Sequence, residues 1–255
     1  GQSASLLRLA ELWGHGTPQP ALAPAPALKS RPAQRAVRNW DALVAQYAAN
    51  PRRLEAWAGY KPLPEDVVRA RRLGLGTFPK SLRKCQHERL MVPLYEDGRC
   101  VGIRGRSLGC SCGKWLSPLG SRCVLYNAEA LSRARGRVVF IVENPVDALM
   151  LEQLHPHVVA VATLGVSMWQ DAWTDLLRRC GARRVVVAYD NDVPGNGGTA
   201  AARAAWLARH GSLPVPGGIR LVNRLLEAGI PARLYDWGDA PVGADIGSAL
   251  LQKSA

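Results

Sequence analysis

Four acidic residues stand at spacings that could hold a divalent cation. Glu143 ends the apolar, β-branched run VVFIVE, and Asp147 comes one helical turn later in NPVDALMLEQL. Asp190 and Asp192 follow a second apolar run, RRVVVAY. Ligands of open parallel sheets bind outside the carboxyl ends of the strands, so we expect these side chains to meet at one edge. Carboxylate oxygens without a nearby His or Cys favour Mg²⁺ or Mn²⁺.

The Asp-x-Asp pair, taken alone, has a simpler interpretation. A lone Asp-x-Asp is more often a capped loop than a metal site. The combination of Glu143 and Asp147 with Asp190 and Asp192 on a second strand favours the metal. We therefore predict Asp190 and Asp192 as the main ligands, with Glu143 as a ligand or as the general acid or base. These three form the predicted catalytic set, and Asp147 is an outer ligand or supports the others.

The elements that must position these residues alternate along the second half of the chain. Apolar runs separated by helical patterns predict a mainly parallel sheet covered by helices on both faces. The predicted strands are 137–143, 157–163, 183–190 and 231–236, and the predicted helices are 145–154, 168–180, 197–209, 219–228 and 245–252. The fold class is therefore α/β.

The first half predicts a smaller α+β subdomain. Helical patterns extend from Val37 to about Gly76, and MVPLYEDGRCVGIRGRS predicts a hairpin that turns at Asp97-Gly98. KWLSP and SRCVLYN predict further short strands, and AEALSRARG predicts a helix. We expect three regions: an N-terminal helix with a Pro/Ala-rich linker (1–36), the basic subdomain (37–135) and the α/β domain (136–255).

The net charge of +13 lies in the first half of the chain. Residues 1–135 carry 22 Lys and Arg against 9 Asp and Glu, whereas residues 136–255 carry 11 of each. A basic half beside an acidic metal site suits a polyanionic substrate, although solvated Arg-rich helices are the simpler alternative. No apolar stretch reaches the roughly 18 residues that span a bilayer. We therefore expect a cytoplasmic protein without a membrane partner.

The acidic set resembles that of the Toprim domain, which DnaG-type primases, topoisomerases and some nucleases share. That pattern has an acidic residue after its first strand, an Asp four residues later, and Asp-x-Asp after a central strand. Glu143, Asp147, Asp190 and Asp192 match it one by one. Asp245, in GADIGSALL, falls where primases place a further metal-binding Asp. The chain departs from the pattern at Asn144-Pro145, where Gly and an aromatic residue are usual.

The segment before the Toprim-like region resembles the core of DnaG-type primases. The order of VPLYEDGRCVGIRGRS, GKWLSP and CVLYN is similar to that family's Gly-Arg hairpin, Lys-aromatic-Leu motif and Leu-Tyr strand. By this resemblance Arg106 and Lys114 face template or nucleotide, and Arg104 and Arg99 are weaker candidates for the template backbone. Ala58 stands where the family usually has Arg, and we expect one of its neighbours, Arg52 or Arg53, as the replacement.

The resemblance implies the catalytic core of a bacterial, plasmid or phage DNA primase. Such an enzyme uses Mg²⁺ or Mn²⁺ to join ribonucleoside triphosphates into short primers on single-stranded DNA, and a replicative helicase could be its partner. The alternatives are a Toprim-family nuclease and a non-catalytic DNA-binding accessory protein of replication.

Zinc is expected only in an upstream domain that precedes primase cores. Cys110 and Cys112, with Cys100 and Cys123 nearby, could hold Zn²⁺, but Cys-x-Cys on a hairpin is poor zinc spacing. Structural cysteines are therefore the favoured interpretation.

Overall fold

Three short helices open the part of the chain described by the computed structural model, which covers residues 39–253, with side chains as far as residue 249. They are α1 (Trp40–Ala48), α2 (Arg53–Tyr60) and α3 (Glu65–Ala70). The Asn39 side chain accepts the amide of Ala42 at 2.9 Å and caps α1. The helical prediction is confirmed as far as Ala70, but residues 74–76, which it also included, form a strand. The region expected at 1–36 lies outside the described residues.

An antiparallel sheet follows, in the strand order β1-β2-β3-β4. Its strands are β1 (Gly74–Gly76), β2 (Arg89–Glu96), β3 (Arg99–Ser107) and β4 (Trp115–Leu116). The predicted hairpin is β2–β3. Its turn residues Asp97 and Gly98 have φ of 48° and 74°, the left-handed values that a tight two-residue hairpin needs.

Three short elements differ from the sequence-based prediction. SRCVLYN is not a strand: within it Tyr126 alone pairs, through an isolated bridge to Ala162. Asn127 adopts a left-handed φ of 62° and ends the extended segment, and AEALSR forms a 3₁₀ helix (Ala128–Arg133) instead of an α-helix. Strand β1 was not predicted, because GLG has no apolar alternation.

The four predicted parallel strands form one sheet in the order β6-β5-β7-β8. The strands are β5 (Val138–Val142), β6 (Val159–Ala162), β7 (Arg184–Ala188) and β8 (Ala232–Leu234). The helices are α4 (Pro145–Leu154), α5 (Asp171–Cys180), α6 (Ala200–His210), α7 (Gly217–Glu227) and α8 (Ile246–Lys253). The predicted α/β class and the preceding α+β subdomain are therefore confirmed.

The two sheets share a buried apolar cluster. Leu90 and Val92 of β2 pack in the same cluster as Val142 of β5 and Leu149 of α4. This shared core holds the hairpin against the carboxyl edge of the parallel sheet. The boundary expected between residues 135 and 136 stays a prediction. Among the described helices, none is long and apolar enough to cross a membrane.

Candidate active site

A cavity of about 280 Å³ opens where the carboxyl ends of β5 and β7 meet the hairpin. It contains three of the predicted acidic residues and three of the predicted basic residues. The lining is Tyr60, Lys61, Arg104, Arg106, Lys114, Trp115, Glu143, Asn144, Asp190, Asp245 and Ser248. Side chains that are far apart in the sequence therefore surround one space.

Glu143 and Asp190 reach the cavity from neighbouring parallel strands. Val142 pairs with Ala188, so the residues that follow these two positions leave the sheet side by side. Burial, followed by the charges of Asp190 and Asp192, raises the pKa of Glu143 to about 7. Burial and the charge of Asp245 raise the pKa of Asp190 to about 6. Carboxylates crowded in this way favour a bound cation or a proton.

Asp192 lies at the edge of this group. Its Oδ1 accepts the amide of Gly195 at 2.7 Å, so it shapes the loop after β7. A Cβ on Gly195 would lie 2.5 Å from the carbonyl oxygen of Asp190, and only glycine allows this close turn. Asp192 is still near enough to raise the pKa of both Glu143 and Asp190.

Asp147 lies behind the cavity and is almost fully buried. Asn144 caps α4 by accepting the amides of Val146 and Asp147 at 3.1 Å, and its side-chain amide donates to the Asp147 carboxylate. Burial, followed by the charge of Asp245, raises the pKa of Asp147 well above its usual range.

Lys61 is a site residue that the sequence did not reveal. Its Nζ donates to Asp245 Oδ1 at 2.6 Å, to Ser248 Oγ at 3.0 Å and to Asp147 Oδ1 at 3.4 Å. Asp147 is almost fully buried and Asp245 is partly buried, so the two carboxylates require a cation, but nothing local in the sequence identifies the partner. Of the two expected substitutes, Arg52 pairs with Glu88 at 2.5 Å, and neither Arg52 nor Arg53 lines the cavity.

The basic wall of the cavity is built from alternate residues of β3. Arg104 lies 5.4 Å from the ring centre of Trp115, and its guanidinium donates to the carbonyl of Leu164. Arg106 lies 5.1 Å from the Tyr60 ring centre and 5.8 Å from that of Trp115. Such cation–π contacts orient a guanidinium without neutralising it.

The guanidinium of Arg106 also has unused donors. Its Nε and Nη1 are buried and have no hydrogen-bond partner among the described residues. Lys114 lines the same cavity with an exposed side chain. Arg99 does not line it: it lies at the opposite end of β3, seven residues from Arg106, or roughly 23 Å at 3.3 Å per strand residue.

The carboxylates surround the cavity without converging on one point. In the described part of the chain, the candidate ligand atoms of Cys85, Cys110 and Cys112 form the only group of three that lie within 4.8 Å of one another. The catalytic and metal-binding roles of the acidic residues therefore stay predictions.

Residues 140–214 match the Toprim-like family. This range contains four of the five predicted acidic ligands and ends before Asp245. Solved structures extend the likeness to most of the chain. One of a DnaG catalytic core is 20% identical with a TM-score of 0.58, and the match covers 84% of this chain and 74% of that one. Residues 140–214 are therefore similar to the Toprim-like family, and the chain has the fold of the DnaG-type primase core.

Two further structures have this primase-core fold. A DnaG primase catalytic domain bound to single-stranded DNA is 20% identical with a TM-score of 0.53, and the match covers 84% of this chain and 76% of that one. The Aquifex aeolicus primase, with zinc-binding and RNA polymerase domains, is 18% identical with a TM-score of 0.57 over 83% of this chain. The chain spans 56% of that longer protein. Comparison with curated proteins gave no match.

Proposed function

We propose that this chain is a DNA primase core that makes short RNA primers on single-stranded DNA, with Mg²⁺ or Mn²⁺ as cofactor. One observation carries the proposal: Glu143 and Asp190 share a cavity with Arg104, Arg106 and Lys114. Phosphoryl transfer to a 3′-hydroxyl needs negative groups that hold metal and positive groups that hold phosphate, and both line this cavity. The activity would place the protein with DNA in the cytoplasm.

The acidic residues fit a hard divalent cation. Their donors are carboxylate oxygens, and burial, followed by the charges of neighbouring carboxylates, raises the pKa of Glu143 and of Asp190. Glu143, Asp190 and Asp192 would hold the metal, with Asp245 beside them and Asp147 behind. A bound Mg²⁺ would supply charge neutralisation at the triphosphate and lower the pKa of the attacking hydroxyl.

The basic residues would bind the nucleotide phosphates. Arg106 lines the cavity with a planar guanidinium that would bind a phosphate, and the exposed Lys114 provides a mobile point charge. Arg104 is already held by Leu164 and Trp115, so we assign it a positioning role on the wall beside Glu143. The rings of Tyr60 and Trp115 keep Arg106 directed at the cavity.

The template would follow the basic first half of the chain. The excess of 22 Lys and Arg over 9 Asp and Glu in residues 1–135 suits a polyanion. Binding of single-stranded DNA by a related catalytic domain of this fold supports the same partner here. A replicative helicase is a further expected partner.

The proposal is tested with the full chain, labelled ribonucleotides, single-stranded DNA and Mg²⁺ or Mn²⁺. We expect short labelled RNA products that disappear in Asp190→Asn and in Asp192→Asn, whereas DNA affinity stays within about threefold. Asp175→Asn, on the exposed surface of α5, is the matched control and should retain synthesis.

Other results of this assay would contradict the proposal and indicate a different function. Shortened DNA without added nucleotide would indicate a nuclease, and DNA binding without any turnover would indicate an accessory protein. Primer synthesis retained in Asp190→Asn or Asp192→Asn would remove the metal assignment.

A further inference from the structure

Three cysteines from two distant segments meet at the end of the hairpin that faces the cavity. Cys85 lies in the loop before β2, and Cys110 and Cys112 lie in the loop between β3 and β4. The Sγ of Cys112 is 2.8 Å from that of Cys85 and 2.7 Å from that of Cys110. All six cysteines of the chain are free. The fold therefore brings three thiols together, and the spacing of residues 110 and 112 alone did not predict the third.

A buried arginine contacts all three sulfur atoms. Arg89 is 0% exposed, and its Nη2 lies 3.4 Å from Cys85 Sγ, 3.0 Å from Cys110 Sγ and 3.4 Å from Cys112 Sγ. Its other hydrogen bonds go to the carbonyl oxygens of Gly105 and Gly113. No carboxylate of the described residues forms an ion pair with it.

This arginine indicates negative charge on the sulfur atoms. A fully buried guanidinium needs a counter-charge, and the thiols are the only groups it contacts that can carry one. Further donors point at the same atoms. The Ser107 hydroxyl lies 3.3 Å from Cys110 Sγ, and the backbone amides of His87 and Cys112 bond to the sulfurs of Cys85 and Cys110. Three thiolates beside a single arginine would leave excess negative charge, which a cation bound among them would offset.

We propose that Cys85, Cys110 and Cys112 bind one zinc ion as thiolates, with His87 as the fourth ligand. Soft sulfur donors select Zn²⁺ over the hard cations expected at the acidic cavity, and three Cys with one His make a closed structural zinc site. The four residues form two short motifs, Cys85-x-His87 and Cys110-x-Cys112. His87 is exposed and lies two residues after Cys85, but its ring nitrogens lie outside the group of sulfur atoms that are within 4.8 Å of one another, so the side chain would have to turn inward to bind. On binding, any proton that still remains on these sulfur atoms passes to solvent.

The zinc would fix the loop that delivers Lys114 to the cavity. Lys114 follows the motif by two residues, and its carbonyl accepts the amide of Ser107 at 2.9 Å. Arg89, from its position on β2, ties the same loop to the sheet through Gly113. From the sequence, zinc was expected only in an upstream domain, whereas this assignment places zinc in the primase-like core. It also replaces Cys100 and Cys123 with Cys85: the buried Cys100 thiol donates instead to Gly102 at 3.4 Å.

Metal content tests the proposal directly. We expect the full chain, expressed with zinc in the medium, to hold about one zinc per molecule by mass spectrometry. Co²⁺ in its place should give the intense thiolate charge-transfer and tetrahedral d–d absorption bands. Cys85→Ser, Cys110→Ser and Cys112→Ser should each lose the metal. Cys180→Ser is the matched control, since that thiol donates to Leu177 at the end of α5, and this variant should keep it.

A second measurement uses the unaltered chain and does not depend on how variants fold. Alkylation of each cysteine is measured by peptide mass spectrometry. With zinc present, the three cysteines should react little. A chelator should raise their alkylation rate more than tenfold and leave the rate at Cys180 unchanged. Zinc below about one-tenth per chain with no cobalt spectrum would overturn the proposal. In His87→Ala we expect at least a tenfold loss of zinc affinity, and an unchanged affinity would overturn the assignment of the fourth ligand.

Discussion

The Nζ of Lys61 lies 2.6 Å from Oδ1 of Asp245, although 184 residues separate the two in the sequence. Burial acts to raise the pKa of Asp245, but the hydrogen bond from Lys61 and the amide of Ser248 outweigh it, and the pKa is lowered. Asp147, which shares the same lysine at 3.4 Å, has a raised pKa instead. Lys61 therefore keeps one carboxylate ionised at the cavity wall and gives less support to the one behind it.

Replacing Lys61 with Met should destabilise the protein by about 3 kcal/mol, because it leaves the buried Asp147 and the partly buried Asp245 without their cation. Urea denaturation at pH 7.5 measures the change in unfolding free energy. The matched control is Arg52→Met, which breaks an exposed pair with Glu88 and should cost less than about 1 kcal/mol. Equal losses in the two variants would contradict a structural role for the Lys61–Asp245 pair.

Replacing Gly247 with Ala should destabilise the same ion-pair group. A Cβ there would lie 2.7 Å from Asp147 Oδ1, 2.9 Å from Met150 Sδ and 3.2 Å from Lys61 Nζ. We expect a loss of about 1–3 kcal/mol from overpacking, measured by thermal and urea unfolding. Gly59→Ala is the matched control: this glycine is also helical but has nothing within 4 Å of the added carbon. Because alanine has a higher helix propensity than glycine, Gly59→Ala should stabilise the protein by up to about 1 kcal/mol. Stabilisation in both variants would show that α8 does not pack closely on Lys61.

The parallel sheet and its acidic edge could be predicted because their signals are local. VVFIV and RVVVA are continuous apolar runs, and Glu143 and Asp190 follow them directly. Strand pairing then follows from general rules of α/β folds. The tight turn at Asp97-Gly98 was equally readable, since it needs two left-handed residues.

The partners of these residues could not be predicted, because they depend on tertiary packing. Nothing near Lys61 in the sequence indicates that α8 will bring Asp245 to it. Likewise, Cys85 is 27 residues from Cys112, and only the pairing of β2 with β3 brings their loops together. For Asp147, the motif position and an outer or supporting role were predicted from the sequence, but the extent of its burial was not.

Replacing Glu143 with Gln should stabilise the metal-free protein at alkaline pH. The pKa of Glu143 is raised to about 7 in the folded state, mainly by burial, so ionisation costs folding free energy above that pH. A raised carboxyl pKa means that the folded state binds the proton more tightly than the unfolded state, and the penalty grows as pH rises through about 4.5 to 7. With EDTA present, the gain in the variant should be about 1–2 kcal/mol at pH 8 and about a quarter of that at pH 5.

Thermal unfolding at both pH values measures this gain. Glu129→Gln is the control, because that carboxylate is exposed and should show no such difference. Equal unfolding temperatures for wild type and Glu143→Gln at pH 8 would contradict the crowding of carboxylates at this edge. If the proposed function holds, Glu143→Gln should also lose primer synthesis while it gains stability.

Replacing Arg106 with Lys should lower primer synthesis at least tenfold. Lysine keeps the positive charge but cannot offer a planar fork to a phosphate or stack in the same way on Tyr60 and Trp115. Losing one charge-assisted hydrogen bond of about 1.5–3 kcal/mol accounts for this factor. Initial rates at varied ribonucleotide concentration measure it, and the effect should fall on nucleotide use, with DNA affinity nearly unchanged. Arg99→Lys, at the far end of β3, should stay within about twofold of wild type, and an equal loss there would assign both arginines to the template instead.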